Sequence, residues 1–145
     1  MNKPYTFVFF GIVGSGKGTQ IELLQNYLKS KDSASDIIWA YPGNEYRKIT
    51  ASNTLTGELV KEKLEKGFLQ PDFLTISIFT NILIGKLGTN THLIADAFPR
   101  TIPQAKAFED AMAFYKKSDI KIVYIEVGRE EAMRRMKLRG RSDDT

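Results

Sequence analysis

Cysteine is absent from this 145-residue chain, so no disulfide and no thiolate metal site can contribute to its stability or chemistry. No stretch approaches the ~20 consecutive apolar residues of a membrane-spanning helix. The first five residues are too short and polar for a secretion signal, and the apolar run that follows stops in a glycine turn. The cytosol is therefore the default compartment. Internal repeats, low-complexity segments, zinc-finger spacing, aromatic ribonucleoprotein motifs and long basic arms are all missing. Their absence argues against nucleic acid as the main ligand, although the net charge of +4 leaves that as the competing reading. What is present, 42% hydrophobic and 26% charged residues, describes one α/β domain with a core of its own.

Apolar runs alternate with helical patterns. Strands are expected at 5–10, 36–40, 92–96 and 120–127. Helices are expected at about 18–29, 45–52, 56–65, 71–87, 102–116 and 129–139, with Gly67 stopping the third. Such alternation implies a parallel sheet flanked by helices, with ligands bound at the carboxyl ends of the strands. Residues 11–17, 41–47, 96–100 and those after 127 each follow a strand, so all four segments should open on one edge of the sheet.

Gly11-Ile12-Val13-Gly14-Ser15-Gly16-Lys17-Gly18-Thr19 follows the first strand pattern and leads into the first helix. Strand, glycine turn and helix is the order a phosphate-binding loop requires. Glycines let successive N–H groups turn inward as an anion nest, and the helix start adds free N–H groups and a positive dipole end. Lys17 can reach the outer phosphates, and Thr19 can hold a phosphate oxygen or a water on magnesium. Gly14, Ser15, Gly16, Lys17, Gly18 and Thr19 are accordingly the candidate nucleotide-triphosphate residues.

A second segment, Asp96-Ala97-Phe98-Pro99-Arg100-Thr101-Ile102-Pro103-Gln104, sits where the third strand ends. A carboxylate beside a phosphate loop calls for a cation between them. Arginine offers phosphate a planar pair of donors that lysine cannot. A third, Gly43-Asn44-Glu45-Tyr46-Arg47, follows the second strand. Basic residues then gather in Arg134-Arg135-Met136-Lys137-Leu138-Arg139-Gly140-Arg141, a run that taken alone reads equally well as a solvated helix face.

Together these segments resemble the adenylate kinases and their nucleoside monophosphate kinase relatives. The string GSGKGTQ is similar to their phosphate loop, and residues 96–104 to their D-G-F-P-R-T-x-x-Q. Residues 43–47 resemble their G-D-x-x-R, with Asn44 in place of the usual Asp and Tyr41-Pro42 where small hydroxyl residues are typical. The resemblance implies a P-loop-type parallel sheet with a helical monophosphate-binding insert at about 41–90 and a short lid beginning near 135, within a single kinase domain. It implies that Asp96 orients Mg2+ through water together with Thr19. Arg47 and Arg100 would clamp the acceptor phosphate, Gln104 would bond the base, and Gly43, Leu69, Gln70, Ala97 and Phe98 would line the acceptor site. It places Arg135 on the donor adenine, and Arg139 and Arg141 on the transferring phosphoryl group, with Lys17 and Arg100. Gly140-Arg141-Ser142-Asp143-Asp144 resembles the G-R-x-D-D after the lid, making Asp143 a further acceptor-side candidate.

The implied activity is transfer of the ATP γ-phosphoryl group to AMP or a related monophosphate. Gln104 and Thr101 favour adenine, whereas Ala97 and Tyr41-Pro42 alter the walls around the base. The expected ligands are ATP, Mg2+ and small-molecule nucleotides, without nucleic acid or membrane, in a protein expected to be a monomer unless an unpaired sheet edge promotes association. The resemblance runs from 7 to 144, while the family continues with a helix bearing another arginine and a fifth strand. A fragment or natural short form is therefore expected. The alternatives are a nucleotide-binding module with little or no turnover, and a small P-loop kinase acting on a metabolite hydroxyl.

Overall fold

A computed structural model describes residues 3–140. Four parallel strands, β1 (Thr6–Phe10), β2 (Asp36–Ala40), β3 (Thr91–Asp96) and β4 (Ile120–Tyr124), form one sheet in the order β2-β3-β1-β4. Six helices complete the described chain: α1 (Lys17–Lys31), α2 (Pro42–Thr50), α3 (Leu55–Glu65), α4 (Asp72–Lys86), α5 (Ile102–Phe114) and α6 (Arg129–Arg139). None of them is long and apolar enough to cross a membrane.

Alternation along the strands separates two faces. Val8, Ile38, Ala40, Leu93 and Ala95 point to one face and pack on Phe79 and Leu83 of α4 and on Phe108 and Met112 of α5. Phe9 and Ile94 point to the other and meet Ile21 of α1, with Phe7, Ile37, Trp39 and Val123 beside them. β3 is buried at all six positions, because helices cover both of its faces and strands flank both of its edges. β4 lies at the rim of the sheet, where Ile122 and Tyr124 are exposed.

The expected elements are all present, with shifted ends. α2 starts at Pro42 rather than 45, because proline is preorganised for the first helical turn and Tyr41 stays extended before it. β4 stops at Tyr124 rather than 127, where its register with β1 ends at Phe10. Thr54 and Thr101 each cap a helix, their hydroxyls accepting from the N–H of Gly57 and Gln104 respectively. Helices α2, α3 and α4 build a small core of their own from Tyr46, Val60 and Ile78. Gly57 permits the close α2–α3 approach, since a Cβ there would stand 2.6 Å from the Ser52 carbonyl oxygen and 2.7 Å from that of Ile49.

Candidate functional site

Parallel strands deliver their following loops to the same edge of the sheet, and a cleft of about 1220 Å³ opens there. Its lining includes Gly14, Ser15, Gly16, Lys17, Gly18 and Thr19 from the loop after β1, Arg47 from α2, Asp96 and Arg100 after β3, and Arg135 and Arg139 from α6. The four segments that the strand pattern sends to one edge thus converge on one space.

The loop after β1 turns on glycine. Gly14 has φ 84°, and a Cβ there would overlap the Ala132 carbonyl and stand 3.0 Å from Met136 Cγ, so the loop lies directly against α6. Gly16, in the left-handed region, caps α1. The first-turn N–H groups of a helix have no partners within it, and α1 directs them at the cleft as an anion site. Arg135 Nη1 donates to the Ser15 carbonyl at 3.3 Å, tying α6 to the loop a second time. Its Nε donates to Glu131, and hydrogen bonds from Arg134 and Arg135 hold the Glu131 carboxyl down at about 2.

Lys17 extends from this loop to within 3.7 Å of Asp96 Oδ1. Burial pushes the Lys17 ammonium below the usual lysine range; Asp96 opposes that shift, and the charges of Arg100 and Arg139 add to it. Asp96 is 3% exposed, and among the described residues its Oδ1 has no hydrogen-bond partner; the same holds for Ser15 Oγ. The other carboxylate oxygen accepts from Trp39 Nε1 at 3.0 Å. Five cations around one cleft, with a carboxylate oxygen left without a donor, form a site that gains from a polyanion carrying a hard cation. No cluster of three or more acidic, histidine or cysteine side chains suited to holding a metal occurs among the described residues. A divalent ion here would need oxygen ligands from the polyanion as well as from Asp96 and the exposed Thr19.

Arg47 is held by Asn44, whose Oδ1 accepts from Nη1 at 2.8 Å, and its guanidinium lies 5.8 Å from the Tyr41 ring centroid. A neutral amide fixes the guanidinium without cancelling its charge, which is what Asn44 changes relative to an aspartate. Tyr41 stacks on Trp39 with ring centroids 6.5 Å apart, and its ring crosses directly over Gly43.

The turn after β3 is fastened from behind. Ala97, at φ 55°, donates its N–H to the Phe9 carbonyl. The Arg100 N–H donates to Gln104 Oε1 at 2.8 Å, and Gln104 Nε2 donates to Asp72 Oδ1 at 2.9 Å. The same Asp72 oxygen accepts from Thr101 Oγ1 at 2.7 Å. Gln104 is 3% exposed and lies behind the cleft wall with both ends of its amide engaged. Phe98 is fully buried, stacked on Phe79 at 4.1 Å between centroids, so only its backbone is available to a ligand. Leu69 is exposed, while Gln70 is buried and donates to the Val60 carbonyl at 3.2 Å; neither lines the cleft. Arg141 and Asp143 lie outside the described residues.

Two residues at the site escaped the sequence reading. Trp39 carried a signal, as the one tryptophan of the chain next to the carboxyl end of a strand. Asp72 showed only as an acid at a helix start, and its partners stand 29 and 32 residues away in sequence.

The family model described as adenylate kinase matches residues 9–144. Curated relatives named adenylate kinase include one from Dehalococcoides mccartyi strain BAV1, 36% identical over 132 residues, or 91% of this chain and 57% of the relative. A second, from Parabacteroides distasonis, is 37% identical over 143 residues, covering 94% of this chain and 70% of that protein. A third, from Buchnera aphidicola subsp. Baizongia pistaciae, is 39% identical over 119 residues, covering 81% and 48%. The chain spans about half the length of several curated relatives it matches. The matched region contains the glycine loop with Lys17, Asp96 beside it and the arginines around the cleft, and on that ground the chain belongs to the adenylate kinase family.

Proposed function

We propose that this protein is a nucleoside monophosphate kinase, transferring the γ-phosphoryl group of ATP to AMP or a closely related monophosphate in the cytoplasm as a monomer. The observation that carries the reading is the convergence of Lys17, Arg47, Arg100, Arg135 and Arg139 with Asp96 on one cleft. Phosphoryl transfer asks little covalent chemistry of a protein. It requires in-line alignment and neutralisation of charge spreading over the equatorial oxygens. In this reading the loop of residues 14–19 cradles the donor phosphates, Lys17 reaches the outer ones, and Arg135 borders the donor base. Arg47 and Arg100 hold the acceptor phosphate, and Arg139 and Arg141 neutralise the transferring group. Residues 41–90 form the acceptor insert and 135–145 the start of a short lid, with Gly43, Leu69, Gln70, Ala97, the Phe98 backbone, Gln104 and Asp143 on the acceptor side. Gln104 reaches a base only by exchanging a present partner or by using the second N–H and lone pair of its amide.

Magnesium fits the residues present: Asp96 offers a buried, donor-free oxygen, and Thr19 offers a hydroxyl. Held there with a nucleotide, the ion would supply neutralisation of the phosphate charge. Exclusion of water by the closing insert and lid limits hydrolysis of the donor.

The test is a steady-state assay of this protein with Mg2+·ATP and AMP, CMP, UMP, GMP or dTMP. ADP formation from AMP above that from the other acceptors is expected. Nucleotide binding without transfer to any acceptor would establish the binding-module alternative instead.

A further inference from the structure

Trp39 and Asp96 point to the same face of the sheet, from neighbouring strands β2 and β3. The indole N–H donates to Asp96 Oδ2 at 3.0 Å, and it is a donor with no accepting capacity. It therefore occupies one carboxylate oxygen without competing for a cation. The remaining oxygen, Oδ1, is buried without a hydrogen-bond partner among the described residues, with Lys17 Nζ 3.7 Å away. A buried carboxylate oxygen lacking a donor is costly, so the geometry is one that a further positive group relieves.

The ring itself cannot swing freely. It packs with Phe9, Ile21 and Ile94, stacks on Tyr41 with an interplanar angle of 23°, and passes close enough to α1 that a Cβ on Gly18 would stand 4.0 Å from it. A rigid aromatic thus holds the carboxylate rotated, one oxygen tied back and the other presented to the loop that carries Lys17.

We propose that Trp39 is a positioning residue for Asp96: it aims Oδ1 at the hydrated divalent cation of a bound nucleoside triphosphate, and its indole reports that the cation has arrived. The inference rests on the phosphotransfer reading. It adds a residue whose effect falls on the metal and leaves the acceptor untouched. Outer-shell partners of metal-binding groups typically influence metal affinity by roughly 10–100-fold. Trp39→Phe keeps an aromatic ring at this position while deleting the donor, so it tests that hydrogen bond.

The experiment follows the single indole N–H cross-peak of the 15N-labelled protein. A non-hydrolysable ATP analogue is added first with EDTA, and Mg2+ in excess afterwards. Isothermal titration runs in parallel. The analogue alone is expected to shift resonances of the phosphate loop, and Mg2+ to add a distinct shift at the indole. In Asp96→Asn the analogue still binds but the Mg2+-dependent indole shift disappears. Trp39→Phe is expected to raise the Mg2+ concentration for half-saturation in the presence of the analogue by roughly 10-fold, with AMP affinity unchanged. A purely structural tryptophan would instead lower the melting temperature and weaken both ligands together. An indole silent to Mg2+ while the analogue binds overturns the proposal, as does an unaltered Mg2+ requirement in Trp39→Phe. Should Trp39→Phe fail to fold, the wild-type and Asp96→Asn titrations decide. A wild-type protein that binds the analogue in no arm refutes the phosphate-site reading, and this inference with it.

Discussion

Replacing Asp72 by alanine should cost far more than an acid at a helix start ordinarily would. Its Oδ1 accepts from Gln104 Nε2 at 2.9 Å and from Thr101 Oγ1 at 2.7 Å. Hydrogen bonds to a charged group are worth about 1.5–3 kcal/mol when the donor is left buried, but much less when water can replace the acceptor. Gln104, 3% exposed, has no route to water, whereas Thr101 is only half-buried. The Gln104 bond should therefore account for about 2 kcal/mol and the Thr101 bond for about 0.5–1 kcal/mol. Losing a negative charge from the first turn of α4 adds about 0.5 kcal/mol. The whole comes to about 3 kcal/mol, and at ~2–4 °C per kcal/mol for a domain of this size the melting temperature should fall by roughly 6–12 °C. Asp72→Asn retains an accepting oxygen at the same place and should lose only about 1 kcal/mol. Because Gln104 Oε1 accepts from the Arg100 N–H, AMP affinity should fall in the alanine variant and largely survive in the asparagine one. Thermal melts followed by circular dichroism, with AMP titrations on the folded proteins, check both parts. Identical melting of wild type, Asp72→Asn and Asp72→Ala would refute the reasoning, since the buried Gln104 amide would then have found another partner at no cost.

Lys17→Met should abolish or severely weaken binding of an ATP analogue by calorimetry while leaving the unliganded protein at least as stable. Burial disfavours the charged form, and a lysine whose folded pKa lies below its unfolded one carries a stability cost that is full below the folded pKa and fades as pH rises to the unfolded one. Arg100→Lys should weaken AMP by about 1–3 kcal/mol, because the charge persists but the planar pair of donors does not; equal affinities would remove Arg100 from the phosphate clamp. Gly14→Ala meets both a φ of 84° and the Ala132 carbonyl, so α6 must shift; a stability loss of about 1–3 kcal/mol in urea and a larger loss of ATP affinity are expected. Phe79→Ala should cost about 3–5 kcal/mol by removing a fully buried ring stacked on Phe98, and chemical denaturation measures it.

The strand–helix alternation and the glycine loop were legible in the sequence because both are local: apolar periodicity, punctuating glycines, and a lysine at a fixed offset. Their legibility extended to the site, since parallel strands send Lys17, Arg47, Asp96 and Arg100 to one edge whatever the details of packing. What could not be read were contacts between elements. Pro42 opens α2 because Tyr41 stays extended beside Trp39, a matter of ring stacking across the cleft wall. The family resemblance sets Phe98 on the acceptor side. Strand alternation does not extend past β3, and the turn rotates the ring into the core against Phe79 and Phe108. The family resemblance sets Gln104 on the base, and its depth behind the wall, which depends on Asp72 from a distant helix, is not carried by that resemblance.

Ile82 packs against both hydrophobic cores, the large one beneath the sheet and the small one of Tyr46, Val60 and Ile78. α4 is thereby a shared beam. Rotating it would tear Phe79 and Leu83 out of the main core, and swinging α2 and α3 against it would open the small core of Tyr46, Val60 and Ile78, so either motion gives up buried apolar contacts. The smaller core is the cheaper one to open, and α2 and α3 join the rest of the chain through the step from β2 into Pro42 and the segment from Lys66 to Pro71, with Gly67 at φ 70°. In the proposed kinase, a stiffening change at Gly67 would therefore be felt as slower opening, with the cleft chemistry itself unaltered.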